Sequence, residues 1–254
     1  MAVLTAMHVE KFLSVPVSLI TDRWTKEYGE KKYDYDFDNI IVVDRPEQNY
    51  RPFHNNTIEF LNKNRYRAFE LSPYDETIMI DADYIVQSDL LNHIWGHGGY
   101  LVPNSAIDLH GLPMNDSETR LCDEGIGMKW ATVMYWDKSE ESENFFKIQQ
   151  HVVENYEFFS LMYGVSPKIF RNDYAMSIAD HIYHGRSGDG FYFPFSLRTA
   201  YQIDDILDVD DDKILMISHA KNGQNSAVVW VDGDVHVMNK YALNEKNNLL
   251  KSRL

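Results

Sequence analysis

Short apolar runs, each followed by an acidic residue, recur through the first third of the chain. These runs span residues 15–21, 39–43 and 77–80, and they are followed by Asp22, Asp44 and Asp81. A short apolar run that stops at a polar residue is typical of a buried strand. The pattern therefore predicts three buried strands that each end in a carboxylate.

One stretch with helical spacing precedes the first of these strands, and another lies between the second and the third. Residues 2–13 carry apolar side chains at helical intervals, and residues 56–69 repeat that spacing after Asn55 and Asn56, which can cap a helix. Strands that alternate with helices predict an α/β fold whose mostly parallel central sheet is flanked by helices. Ligands of such sheets bind at the carboxyl ends of the strands, so Asp22 is a candidate substrate-binding residue together with Asp81.

The second half of the chain has a less regular pattern. It predicts strands at 100–102, 131–135 and 213–218, a long helix at 140–162, and a C-terminal hairpin of 227–231 and 234–238 around Asp232-Gly233. We interpret the chain as one domain, residues 1–254.

Composition narrows the possible partners. The chain has 254 residues, 44% of them apolar, and a net charge of −15, so it can form a core and is unsuited to broad binding of nucleic acid or anionic membranes. The single cysteine, Cys122, rules out an internal disulfide and fits a reducing compartment. No run approaches the roughly 20 apolar residues that span a bilayer. We therefore expect a soluble, cytoplasmic protein.

The segment Asp81-Ala82-Asp83 carries the clearest candidate chemistry. Side chains alternate along an extended chain, so two carboxylates separated by one residue lean to the same side. A carboxylate pair at a strand end suits a hard divalent cation that bridges to substrate phosphates. The alternative is an ordinary turn in which one aspartate caps the following segment.

Arg67 followed by Thr77-Ile-Met-Ile-Asp81-Ala-Asp83-Tyr-Ile-Val86 resembles the GT-A glycosyltransferases, in particular the glycogenin-like and galactosyltransferase-like retaining group. The resemblance covers about residues 15–100 and is patchy afterwards. It implies a nucleotide-sugar half at about 1–100 and an acceptor half at about 101–254. It implies a GT-A fold and transfer of a sugar from a nucleotide-diphosphate donor, with Mn²⁺ or Mg²⁺ on the diphosphate. By the same resemblance Asp81 contacts the donor ribose and the metal, Asp83 binds the metal, and Arg67 contacts the donor.

The resemblance also implies a third metal ligand, a histidine near the end of the chain. Two candidates stay open, His219 after the strand at 213–218 and His236 in the predicted hairpin, and His219 is preferred. A lysine follows each of them, Lys221 and Lys240, and a lysine can stabilise a departing diphosphate by its charge.

Two departures from the family pattern bear on function. Asp173 matches the first residue of the family's acceptor-side Asp-Gln pair and is a candidate catalytic residue, but Tyr174 replaces the glutamine. The family fold begins with a strand that cradles the nucleotide base, whereas this chain begins in the helix that follows. That first strand is therefore missing, through a truncated N-terminus or because it comes from elsewhere.

The leading hypothesis is a metal-dependent glycosyltransferase that acts on a glycan, a protein or a modified nucleobase, with retention implied by the resemblance. A non-catalytic nucleotide-sugar or sugar-binding protein of the same fold is the alternative. A nucleotidyltransferase is a third hypothesis, which no glycine-rich phosphate loop supports.

Overall fold

A computed structural model describes residues 1–44, 50–53, 56–59, 62–114, 120–122, 125–187, 190, 192–210, 213–219 and 225–252, with backbone alone for 50–53 and 56–59. The α-helices are α1 Ala2–Leu13, α2 Arg23–Lys32, α3 Ala68–Leu71, α4 Glu140–Glu154, α5 Tyr156–Met162, α6 Asn172–Tyr183 and α7 Lys240–Lys251. Short 3₁₀ helices occupy Arg65–Arg67 and Leu90–Ile94. Among the helices described, none has the length and apolar character needed to cross a membrane.

Fourteen strands are described. They are β1 Ser18–Asp22, β2 Asn39–Val43, β3 Tyr50–Phe53, β4 Asn56–Glu59, β5 Glu76–Ile80, β6 Tyr84–Ile85, β7 Tyr100–Leu101, β8 Ala106–Ile107, β9 Val133–Asp137, β10 Leu197–Ala200, β11 Asp205–Asp210, β12 Lys213–His219, β13 Ser226–Asp232 and β14 Val235–Val237.

The class is mixed α/β, as predicted, but the described strands do not form one mostly parallel central sheet. They form five small sheets: β1-β2, β3-β4, β5-β9-β7, β6-β14-β10-β8 and β11-β12-β13. Only the pairs β1-β2, β10-β14 and β10-β8 are parallel. The physical reason is that β5 pairs antiparallel with β9 and that no described strand joins β5 to β1.

The predicted helix at 56–69 is wrong in its first half. Residues 56–59 form β4, which pairs antiparallel with β3, and helical structure begins only at Arg65 and ends at Leu71. The apolar spacing over these fourteen residues spans two different elements. The first of them, β4, pairs with the neighbouring strand β3 and does not form a helix.

The predicted C-terminal hairpin is also wrong. Strand β13 pairs with β12, whereas β14 pairs with β10 and β6 and not with β13. A two-residue type I′ hairpin turn needs positive φ at both central residues. Here Gly233 has φ 108° and Asp232 does not have positive φ, so the turn sends the chain into another sheet.

The strands predicted at 15–21, 39–43 and 77–80 are present as β1, β2 and β5, but the prediction that they are buried is wrong. None of their residues is fully buried, and Ile20 and Val42 are exposed.

Other predicted elements are confirmed in position. Helix α1 and strand β2 have the predicted bounds, and the strand at 213–218 continues to His219. The predicted helix at 140–162 begins after Ser139, whose side chain accepts a hydrogen bond from the Ser142 N–H, and is interrupted at Asn155.

Two clusters of buried side chains hold these small sheets together. The larger includes Tyr135 and Trp136 of β9, and the Trp136 ring packs edge-to-face on Phe146 of α4. The smaller surrounds Val235 and Val237 of β14. The segment between β5 and β6 carries Asp81 and Asp83. It is flanked by Ile80 and Tyr84, which belong to or pack against the larger cluster, and by Ile85 of the smaller cluster.

Candidate metal-binding site

The chain makes a tight turn directly after β5. The Asp81 N–H donates to the Thr132 carbonyl at 2.8 Å, and the Tyr84 N–H donates back to the Asp81 carbonyl at 3.0 Å. These two bonds fix the backbone on both sides of Ala82. The carboxylates of Asp81 and Asp83 are therefore presented by a closed turn.

Strand β14 brings a histidine to this turn. His236 pairs with Tyr84 in the antiparallel β6-β14 ladder, and the Val237 N–H donates to the Asp83 carbonyl at 2.9 Å. One ligand atom from each of Asp81, Asp83 and His236 lies within 4.8 Å of the others. Asp83 and His236 are buried, so this is an internal cluster and not a patch of surface acids.

Asp234 attaches the start of β14 to the segment that follows β6. Its Oδ1 accepts hydrogen bonds from the Gln87 N–H at 2.8 Å, the Ser88 N–H at 3.0 Å and the Ser88 hydroxyl at 2.9 Å. Asp234 is itself buried and stands two residues before His236. Sequence reasoning missed this positioning residue, and the signal available was an aspartate directly before the apolar strand β14.

Two cations already contact the carboxylate pair. The Lys240 Nζ lies 3.0 Å from Asp83 Oδ2, and the Arg65 guanidinium forms an ion pair with Asp81 through Nη1. The Arg65 Nε and Nη2 atoms are buried and have no hydrogen-bond partner among the described residues. Arg65 was not predicted from the sequence, which pointed to Arg67 instead.

The two carboxyl groups have opposite electrostatic environments. Burial, opposed by the Arg65 guanidinium and reinforced by the Asp83 carboxylate, raises the pKa of Asp81 above its ordinary value. Burial would also raise the pKa of Asp83, but His236 and Lys240 outweigh it and lower that pKa. Asp83 is thus the carboxylate best held in its charged form.

The residues present fit a divalent metal ion. Two carboxylates and an imidazole make a mixed oxygen and nitrogen donor set, which suits Mn²⁺ and, through the oxygens, Mg²⁺. The His236 Nδ1 is buried without a hydrogen-bond partner among the described residues, so one ring nitrogen is uncommitted. The cluster can therefore hold a metal ion, whose identity the donor set leaves open.

The predicted donor-side residues Asp22, Arg67 and Asp81 share one cavity of about 840 Å³. We call it the β1–β5 cavity, because every residue of those two strands lines it. Asp22 also caps α2, accepting from the Thr25 N–H at 3.1 Å and the Thr25 hydroxyl at 2.7 Å.

The predicted metal ligand His219 and the predicted substrate-binding residues Lys221 and Lys240 have different outcomes. His219 lies on β12, where its Nδ1 is 2.7 Å from the Ser226 hydroxyl, and it is not part of the Asp81–Asp83–His236 group. The geometry thus selects His236 and reverses the preference for His219. Lys221 lies outside the described residues, whereas Lys240 contacts Asp83 as described above.

Asp173 lies in the first turn of α6 with both carboxylate oxygens engaged. Its Oδ1 accepts from the Ala131 N–H at 2.9 Å, and its Oδ2 pairs with Arg171 Nη2 at 2.8 Å. Burial would raise the pKa of Asp173, but the Arg171 guanidinium and the Ala131 N–H lower it below its ordinary value. This carboxylate ties α6 to the segment that leads into β9.

Comparisons of the chain with family models, with curated proteins and with solved structures gave no match.

Proposed function

We propose that this protein is a metal-dependent glycosyltransferase that moves a sugar from a nucleotide-diphosphate donor to an acceptor. The observation that carries the proposal is the buried group of Asp81, Asp83 and His236, with ligand atoms within 4.8 Å of one another beside two cations. Such a group of oxygen and nitrogen donors supports a divalent metal that also contacts phosphate oxygens.

Arg65 supports a phosphorylated substrate. Two of its buried N–H groups lack partners among the described residues, and a buried polar group without a hydrogen bond costs free energy. Guanidinium is well suited to phosphate, since its planar N–H groups can bond two oxygens at once. A diphosphate that entered beside Asp81 would therefore satisfy donors that the protein leaves unpaired.

The roles follow from the contacts. Asp81, Asp83 and His236 would hold the metal, which supplies Lewis-acid assistance to the diphosphate leaving group. Arg65 would bind and orient an anionic oxygen, and Lys240 would add a second positive charge at the leaving group. Asp22 and Arg67, on the wall of the same cavity, would contact the donor. The acceptor is a glycan, a protein or a modified nucleobase.

One observation favours a second candidate, a non-catalytic nucleotide-sugar or sugar-binding protein. Asp173, the candidate catalytic carboxylate, already uses both oxygens on Ala131 and Arg171. A group so engaged serves the packing of α6 and is not available to a substrate without rearrangement. Binding of the donor without turnover would then be the function.

Metal binding is the first test. Calorimetric titration with Mn²⁺ should give one site. His236→Ala should lower the affinity at least about tenfold, because the loss of a residue that merely hydrogen-bonds a metal ligand already has an effect of that size. His219→Ala is the matched control, since it removes a histidine from β12, outside the group, and should leave the affinity unchanged. Equal effects of the two substitutions would refute the site.

Turnover is the second test. The wild type incubated with a panel of nucleotide sugars and Mn²⁺ should release nucleoside diphosphate, and Asp83→Asn should abolish that release. Binding of a donor, seen as thermal stabilisation, without release in the presence of any acceptor would instead support the binding protein. Release of pyrophosphate from a nucleoside triphosphate would contradict both.

A further inference from the structure

Two buried polar side chains are neighbours on the sheet that carries His236. Thr199 of β10 and His236 of β14 are register partners in a parallel ladder, so their side chains share one face of the sheet. The Thr199 hydroxyl and the His236 Nδ1 are both buried, and neither has a hydrogen-bond partner among the described residues. An acceptor without a partner thus stands next to a ring nitrogen without one.

The Thr199 hydroxyl is unfavourable for folding by itself. The residue is fully buried, and a buried hydroxyl without a hydrogen bond costs free energy. Valine has nearly the same shape and no polar atom, so it would fill the same space without that cost. Packing therefore gives no reason for the hydroxyl, and the reason must lie in a hydrogen bond that it can make.

The ring of His236 has one nitrogen on the side of the carboxylates. Its Nε2 lies 3.6 Å from Asp83 Oδ1, so Nε2 is the nitrogen that would bind a metal held by Asp83. A neutral imidazole that binds a metal through one nitrogen carries its proton on the other, and that N–H needs an acceptor. In metal sites the second N–H almost always has one, and the bond orients the ring.

Other acceptors around His236 are already engaged in the part of the chain that the structure describes. Asp234 Oδ1, two residues earlier on the chain, accepts three hydrogen bonds from the segment after β6. Asp173 is within electrostatic reach of His236, but both of its oxygens are bonded to other groups. The Lys240 ammonium can only donate. The Thr199 oxygen has two lone pairs to offer.

A small movement suffices to join the two side chains. Adjacent strands lie about 4.8 Å apart, and both the Thr199 hydroxyl and the His236 Nδ1 are close to the backbone. Rotation of the Thr199 side chain to another staggered rotamer, or one bridging water, brings the hydroxyl oxygen to the ring N–H. We infer that Thr199 is a positioning residue, whose hydroxyl accepts the Nδ1–H of His236, directly or through one water, and holds Nε2 toward the metal.

This inference rests on the metal site of the proposed function and extends that site to β10. It does not depend on the reaction. A protein that binds a nucleotide sugar through the same metal, without turnover, needs His236 in the same orientation.

Two substitutions at Thr199 separate positioning from packing. Thr199→Val keeps the shape and removes the hydroxyl, so calorimetric titration should show a Mn²⁺ affinity at least about tenfold lower than that of the wild type. Its free energy of unfolding in urea without metal should be no lower than that of the wild type, because the lost hydroxyl had no partner. Thr199→Ser, the matched control, keeps the hydroxyl and removes a buried methyl group, so it should lose stability and retain the affinity.

A spectroscopic measurement tests the hydrogen bond itself. Zn²⁺ accepts the same ligands and is diamagnetic, so it would replace Mn²⁺ for NMR. The Nδ1–H proton of His236 should exchange slowly in the Zn²⁺-loaded wild type and in Thr199→Ser, and at least about tenfold faster in Thr199→Val. Equal protection of this proton in all three proteins would overturn the inference.

The titrations also distinguish this inference from the proposed function. An unchanged Mn²⁺ affinity in Thr199→Val, together with a reduced affinity in His236→Ala, would overturn the role of Thr199 and leave the metal site standing. An affinity that His236→Ala does not reduce would overturn both. Equal losses of affinity in Thr199→Val and Thr199→Ser would overturn the role of Thr199, because they would follow from packing and not from the hydroxyl.

Discussion

Single residues of the site were predictable where the signal was local. Asp81 and Asp83 follow an apolar run, and that position marked them as a carboxylate pair. A turn, and not the extended chain on which the prediction relied, presents their side chains. His236 was predictable only as one of two histidines, since the choice depends on β14 pairing with β6, about 150 residues away in sequence. Arg65 was missed because Arg65 and Arg67 share one 3₁₀ helix, and the turn that orients them is set by packing.

His8 provides a prediction at this scale that is independent of any metal. Its ring is buried in α1 and its Nδ1 lies 2.8 Å from the Val86 carbonyl. Burial lowers the pKa of His8 to about 4, although the Val86 carbonyl opposes the shift. The unfolded chain therefore binds a proton on His8 at higher pH than the folded chain does.

The sign of the pH effect follows. Stability from neutral His8 is fully present above about pH 6.5 and is lost as pH falls toward 4, by about 2–3 kcal/mol at pH 4.5. The free energy of unfolding in urea would be measured at pH 7.5 and at pH 4.5. Between these two pH values it should fall by correspondingly less in His8→Asn than in the wild type. His93→Asn, at an exposed position, should behave as the wild type. Identical pH profiles for wild type and His8→Asn would contradict the assignment.

At the scale of elements, local patterns predicted α1 and β2 within their observed bounds and failed where pairing was distant. Val235 and Val237 alternate as a strand should, but nothing in Asp232-Gly233 reveals that β14 leaves β13 for β10 and β6. Residues 56–59 have apolar spacing compatible with a helix, yet they pair with β3. A strand's partner is a property of the whole chain, so composition and spacing cannot name it.

Asp234 gives the prediction for β14. Asp234→Ala removes the acceptor for the buried Gln87 N–H and the half-buried Ser88 N–H. Leaving both groups unpaired should cost about 3 kcal/mol in the free energy of unfolding. Chemical denaturation would measure this loss, and calorimetry should show weaker Mn²⁺ binding, because His236 is displaced.

The matched control is Asp232→Ala, two residues earlier. Asp232 is exposed and its carboxylate lies 3.6 Å from Arg198, so its loss should change stability by no more than about 0.5 kcal/mol. Similar costs for the two alanine variants would mean that Asp234 does not hold β14 in place.

For the whole molecule, metal binding predicts a thermal effect. A ligand that binds only the folded state at one hundred times its dissociation constant adds about 2.7 kcal/mol. For a chain of this size that corresponds to a rise in Tm of about 5–10 °C. Differential scanning calorimetry should show this rise with Mn²⁺ in the wild type and in His219→Ala, and should not show it in His236→Ala. A rise of equal size in all three would mean that Mn²⁺ binds elsewhere.

The turn at Asp81–Asp83 is held by distant parts of the chain, since Thr5 bonds Ala82, Thr132 bonds Asp81, and Val237 bonds Asp83. Contacts of such long sequence separation form late and slowly in folding. On the ribosome, the acidic turn emerges long before β14 is synthesised, so the nascent chain carries its two carboxylates without their histidine. Metal affinity should consequently be acquired only after β14 has been synthesised and has left the exit tunnel.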